Sequence, residues 1–155
     1  MKRLLIPSLL TATLAAGWIV GCAGSSAPVS SPARPKGALT TADVKAAVRA
    51  LVSAYSSNDA MGFLSHVEED GFTSFDSFSD NIKDFLRDNH QIDLDVIFDT
   101  DVEQGDRAAM TLHWNRGLVT KAGQHVLSKG SAELVFRRAS NGRLLLTAIN
   151  GQSPF

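Results

Sequence analysis

The sequence predicts an α+β protein, with helices gathered in the first half of its ordered part and an antiparallel sheet in the second. Two apolar periods and one turn signal carry this expectation. Apolar residues recur at helical spacing from Val44 to Tyr55 and again from Phe78 to Leu86. Beyond His90 they alternate instead, with Ile92, Leu94, Val96 and Phe98 on one side and Asp93 and Asp95 on the other. Asn141-Gly142 then marks a hairpin, and helices segregated from strands are the α+β arrangement.

Taken in order, the chain opens with Lys2 and Arg3, an apolar run from Leu4 to Val20, and a small residue, Gly21, before Cys22. Basic, apolar and small segments in that order are the layout of a secretory signal peptide. The apolar run is at the short end of the roughly 17 to 25 residues a membrane span needs, and Pro7, Ser8, Thr11 and Thr13 interrupt it, which favours a cleaved signal. Ile19-Val20-Gly21-Cys22 resembles the lipobox of bacterial lipoproteins. That resemblance implies a diacylglycerol on the Cys22 thiol, cleavage just before it and acylation of the new amino terminus. One acyl chain holds a protein only marginally, at about 0.8 kcal/mol per buried methylene, so three would anchor it firmly. With Ala23 rather than Asp after the cysteine, the resemblance implies the bacterial cell envelope and the periplasmic face of the outer membrane. Cys22 is the sole cysteine, so no internal disulfide is expected.

The expected division is a signal peptide at 1–21, a lipidated cysteine and flexible linker at 22–39, and one domain at 40–155. Removing 21 residues from the 155 leaves 134, enough for a single core. Without Lys2 and Arg3 the 15 basic residues fall to 13 against 16 acidic ones, which argues against a nucleic-acid partner. From Ala23 to Leu39 the chain is rich in Ser, Ala, Pro and Gly, a tether reaching about 20 to 25 Å.

Order is expected from Thr40, where Thr40 and Asp43 have capping-box spacing. Val44, Ala47, Val48, Leu51, Val52 and Tyr55 then form one buried stripe. Asn58 or Asp59 caps a short second helix bearing Met61, Leu64 and Val67, in which Gly62 costs about 1 kcal/mol unless close packing requires it. Phe72-Thr73-Ser74 reads as a short strand. A third helix is expected over 76–89, closed by Asn89.

The first strand is followed by a turn at Gln104-Gly105-Asp106. The second is expected from Arg107 to Asn115, with Ala108, Met110, Leu112 and Trp114 on one face and Ala109, Thr111 and His113 on the other. A loop is expected at 116–123. The third strand, 124–138, places Val126, Gly130, Ala132, Leu134 and Phe136 together, with Gly130 read as a bulge or bend. Leu144 to Ile149 is the last strand.

Three stretches resemble the NTF2-like superfamily, the cone-shaped fold that includes ketosteroid isomerase, scytalone dehydratase and SnoaL-type cyclases. One is the first helix followed at once by Asn58-Asp59 and a short second helix. Another is the hairpin Val102-Glu103-Gln104-Gly105-Asp106-Arg107-Ala108. The last runs from Gly130 to Phe136, through Asn141-Gly142-Arg143-Leu144-Leu145, to Ile149-Asn150-Gly151; Leu144 stands where these domains usually carry Trp. The resemblance spans residues 40–155 and implies a cone of three helices on a curved sheet around a pocket. It assigns no activity, because the fold hosts enzymes, transport factors and plain binding modules.

In such a pocket the resemblance points to Tyr55, Thr111, His113, Trp114 and Arg116 as ligand-binding candidates. His113, on a strand beside an aromatic, is a candidate general base, although a hydrogen-bonded surface histidine is the commoner case. The acidic run Asp93, Asp95, Asp99, Asp101, Glu103 and Asp106 lacks the spacing of a calcium loop and reads as a solvated hairpin face. His66, His90, His113 and His125 show no zinc spacing, and no nucleophile elbow, P-loop or dinucleotide fingerprint occurs. Phe72, Phe75 and Phe78 read as core or as a pocket mouth. No catalytic residue, metal or cofactor is expected. The leading expectation is a lipid-anchored binding or interaction module of the envelope, taking a small apolar ligand or an envelope protein, with homodimerisation through the sheet face as a further possibility. The alternative is a small-molecule isomerase, dehydratase or cyclase with His113 transferring the proton.

Overall fold

The computed structural model describes residues 39–155, with 100–104 described by their backbone alone. The Cys22 motif, the signal segment and the tether before residue 39 lie outside the described residues. The chain runs through α1 (Thr41–Ser56), α2 (Ala60–Leu64), α3 (Phe75–Asp88), β1 (Asn89–Gln104), β2 (Arg107–Thr120), β3 (His125–Arg138) and β4 (Leu144–Gly151). The strands make one antiparallel meander in the order β1-β2-β3-β4, so helices and sheet are segregated as expected.

Helix α1 starts where its cap requires. The Asp43 N–H donates to Thr40 Oγ1 at 3.2 Å and the Thr40 N–H donates to Asp43 Oδ2 at 3.1 Å, which satisfies two donors that the first turn leaves open. Its stripe buries Val44, Val48, Leu51 and Tyr55 completely. At the corner that follows, Asn58 takes a left-handed φ of 56° and its side-chain amide donates to Leu86 O at 3.1 Å and Asn89 O at 2.9 Å. One side chain thereby pins the α1–α2 corner to the end of α3.

Asp59 caps α2 by accepting from the Gly62 N–H at 2.8 Å, and a Cβ at residue 62 would collide with that carboxylate. The rest of the expected α2 stripe does not form, because the helix stops at Leu64. Met61 is 73% exposed, Phe63 is the buried residue, and Val67 leaves the helix to bridge Leu146 of β4. Residues 72–74 are a turn rather than a strand: the Phe72 N–H donates to Glu68 O at 3.0 Å, and Ser74, at a φ of 58°, leads directly into α3. Asn89 closes that helix as expected, its side chain donating to Phe85 O at 2.8 Å.

Two register shifts bend β1, between His90 and Asp93 and between Phe98 and Asp101, and Gln91 takes a φ of 50° at the first. A third falls opposite Val135 and Phe136, where Thr147 is the extra residue and donates to Val135 O at 3.1 Å. Strand β2 does not end at Asn115 but continues to Thr120, because Arg116 and Leu118 sustain the inward alternation and Leu118 is buried. Gly130 is not a bulge. The β2–β3 register runs unbroken through Trp114 opposite Gly130, and a Cβ at residue 130 would lie 2.7 Å from Cζ2 of the Trp114 ring. The glycine is there so that an indole can lie across the strand. Val126, expected on the same face as Leu134 and Phe136, is 40% exposed.

Inward residues of the bent sheet meet the α1 stripe and Phe63 in one core; Leu51, Met110, Leu112, Leu134, Phe136 and Leu146 are fully buried there. Gly130→Val is expected to lower stability by about 1 to 3 kcal/mol through overpacking against Trp114, read as an earlier urea midpoint at unchanged slope. An unchanged midpoint would mean that the indole does not lie over the glycine.

Candidate ligand site

Tyr55 sits in the last turn of α1, at the end of the core stripe. A fully buried phenol needs a partner for its hydroxyl, and α1 alone cannot supply one. The partner comes from β2. Arg116 occupies an inward position, in register with Leu94 of β1 and Ser128 of β3, and its Nη1 donates to the Tyr55 hydroxyl at 2.9 Å. The same nitrogen donates to the Pro154 carbonyl at 3.2 Å, and Nε donates to Ser128 Oγ at 3.3 Å. The guanidinium lies 4.9 Å from the centre of the Phe85 ring and 5.6 Å from that of Trp114, within cation–π range of both.

Aromatic rings close the surroundings. Tyr55 stacks on Phe85 at 5.7 Å and meets Phe155 edge-on at 5.4 Å, while Phe155 also contacts Phe63 at 4.8 Å. The Trp114 indole N–H donates to the Gln152 carbonyl at 2.9 Å. Beside this group lies a cavity of about 390 Å³ lined chiefly by Phe72, Phe78, Ile82, Phe85, Ile149 and Phe155. Apolar walls with a few convergent polar groups are the usual make-up of a small-molecule site.

Burial pushes the Tyr55 hydroxyl up to about 12, and the Arg116 charge and hydrogen bond offset only part of that rise. At neutral pH the pair is therefore a neutral phenol beside a permanent cation. It can hold and orient a polar group, but neither member is poised to exchange protons there.

Of the five candidates, the structure brings three together: Tyr55, Trp114 and Arg116. Thr111 and His113 lie on the opposite face of the sheet, in the alternate phase of β2. His113 is 61% exposed there, its Nε2 4.0 Å from Asp99 Oδ2. A second concavity, of about 460 Å³, is lined by Asp93, Asp95, Asn115, Leu127 and Lys129 of that outer face together with Arg116 and Ser128, and the face leaves Ile97 60% and Leu127 87% exposed. Among the described residues, no three His, Cys, Asp or Glu side chains converge as metal ligands would. No described helix is long and apolar enough to cross a membrane.

Sequence reasoning assigned Phe72 and Phe78 to a core or pocket mouth, and they line the cavity. It missed Ser128, Phe85, Pro154 and Phe155 as parts of the site. Phe85 was absorbed by the α3 stripe, and residues 152–155 follow the last strand with no periodic pattern to place them.

No protein-family model and no curated protein matches the chain; its likeness to known proteins is one of structure. A ketosteroid isomerase-like protein from Erwinia carotovora atroseptica superposes with a TM-score of 0.61 at 16% identity, over 73% of this chain and 96% of that one. An NTF2-like superfamily protein from Salmonella enterica serovar Typhimurium gives 0.62 at 11% identity, over 74% and 90%. A candidate dehydratase of the NTF2-like family from Streptomyces avermitilis gives 0.62 at 17% identity, over 71% and 93%. At these identities the likeness establishes the fold alone: the chain has the NTF2-like fold.

Tyr55 is the only tyrosine, so ultraviolet absorbance reads its ionisation without interference. The hydroxyl is expected to titrate near 12 rather than at its ordinary 10.0, and Arg116→Met is expected to move it higher still. Because the folded value lies above the unfolded one, the linked stability is complete below pH 10 and is lost as pH rises through about 12. Ordinary titration in the folded protein would contradict the buried pair.

Proposed function

We propose that the protein is a lipid-anchored binding module of the bacterial envelope, in which the NTF2-like cone takes a small apolar molecule and performs no chemistry on it. The observation that carries the ligand-binding part is an aromatic-lined cavity of about 390 Å³, whose Phe85 and Phe155 rings stand against the Tyr55–Arg116 pair. Phe72, Phe78 and Phe85 offer apolar contact to a ligand there, and Asn81 and Ser153 are the polar side chains on the same wall. The rival enzymatic reading requires a proton-transfer group in the pocket, and His113 faces away from it.

The anchor rests on the sequence around Cys22, together with the Ser/Pro-rich stretch that separates it from Leu39, the first described residue. The exposed Ile97 and Leu127 support pairing with a second copy through the outer sheet face. Light scattering on the full chain tests that pairing, and a monomer at high concentration removes it.

Expression in a bacterial host with labelled palmitate is expected to label the chain, and Cys22→Ser is expected to abolish the label; label retained in the variant rejects the anchor. For the pocket, Ile149→Trp fills the cavity and is expected to weaken binding of a small uncharged aromatic such as toluene by about tenfold or more, a change of about 1.4 kcal/mol. Equal binding by a folded variant would place the ligand elsewhere.

A further inference from the structure

The segment after β4 turns back into the pocket. Gly151, at a φ of 92°, makes the turn, and a Cβ there would stand 3.0 Å from the Ser131 carbonyl oxygen. The Gln152 N–H donates to Ser131 O at 3.0 Å, and the Gln152 carbonyl accepts from the Trp114 indole N–H. Ser153 Oγ accepts from the Phe155 N–H at 3.1 Å and donates to Phe155 O at 3.0 Å, wrapping the chain around Pro154. Pro154 is fully buried, its carbonyl faces Arg116, and the Phe155 ring lies against Phe63 and Tyr55.

The partners of Arg116 are unusual in kind. Its guanidinium donates to a phenol, a serine hydroxyl and a backbone carbonyl, and among the described residues no carboxylate stands within ion-pair distance of it. A guanidinium drawn partly out of water is best satisfied by an anion, and a carboxylate matches its fork. The backbone carbonyl of Pro154 offers the oxygen without the charge, and Phe155 offers a ring beside it.

We propose that Pro154 and Phe155 hold the place of a ligand, and that this ligand is an aromatic carboxylate whose acid group takes the Pro154 carbonyl's position on Arg116 while its ring replaces Phe155 between Tyr55 and Phe63. The inference rests on the ligand-binding reading and adds one acid group to the small apolar molecule of that reading. Binding requires the segment to withdraw, so the intact chain's apparent affinity is the intrinsic affinity scaled down by the fraction of open molecules. The adjoining cavity of about 390 Å³, already bounded by Phe155, enlarges when that ring leaves.

The test is calorimetric titration of the full chain in lipid nanodiscs with phenylacetate and with uncharged phenylacetamide. Deletion of residues 153–155 is expected to tighten phenylacetate binding by about tenfold or more. Phe155→Ala, which keeps the backbone turn, is expected to act in the same direction and serves if the deletion fails to fold. Arg116→Met in the Phe155→Ala background is expected to erase the preference for phenylacetate over phenylacetamide. Phenylacetate affinity unchanged by removing the ring overturns the inference, and so does equal tightening for both probes, which leaves an apolar pocket with no taste for acids. Binding of neither probe by any folded variant overturns the inference and the ligand-binding reading together.

Discussion

A cation drawn partly out of water has to be surrounded by groups that repay its lost hydration, and in this protein the requirement falls on Arg116. Five pieces of the chain meet it. Tyr55 comes from α1, Phe85 from α3, Trp114 from β2 itself, Ser128 from β3, and Pro154 from the segment beyond β4. None of these pieces is near another in sequence except Trp114 and Arg116. The guanidinium is therefore a meeting point that exists only when helices, sheet and final segment are all in place, and the shape of the cavity beside it follows from that convergence.

Placement of Arg116 depends in turn on geometry set far away. The shift between His90 and Asp93 adjusts β1 so that Leu94 stands opposite Arg116, and the unbroken β2–β3 register puts Ser128 across from it. Gly130, one inward step along β3, leaves room for Trp114 to lie flat and present its indole proton to Gln152. Asn58 holds the α1–α2 corner against the end of α3, next to the turn that carries Tyr55 and one turn from Phe85. Backbone irregularities and a single glycine thus decide which side chains share the pocket.

Much of the scaffold was legible because it is written in local or periodic form. The Thr40–Asp43 cap, the α1 stripe, the alternation of β1 and the Asn141-Gly142 turn each depend on residues a few positions apart, and each stands where it was read. Readings failed where a long-range contact outvoted a local signal. Arg116-Gly117 looked like a loop, yet pairing with Leu94 and Ser128 keeps it in a strand. Gly130 suggested a bulge, yet a ring from the neighbouring strand explains it. Within the site, Tyr55, Trp114 and Arg116 were recoverable from phase and fold resemblance. Thr111 and His113 belong to the other phase of β2, and a resemblance at the level of fold did not overrule that parity. Pro154 and Phe155 carry no pattern, since a segment that docks by filling a hole is specified by the hole.

The kinked course of β1 also bears on how copies of this chain meet. A flat, unbroken border strand offers its free amides and carbonyls as a template for another strand, the first step toward amyloid-like stacking. Here that border is interrupted twice and bears Asp93, Asp95 and Asp99, while the opposite border, β4, is short and carries its own extra residue at Thr147. Crowded copies are therefore steered toward contact between broad surfaces rather than strand-to-strand pairing.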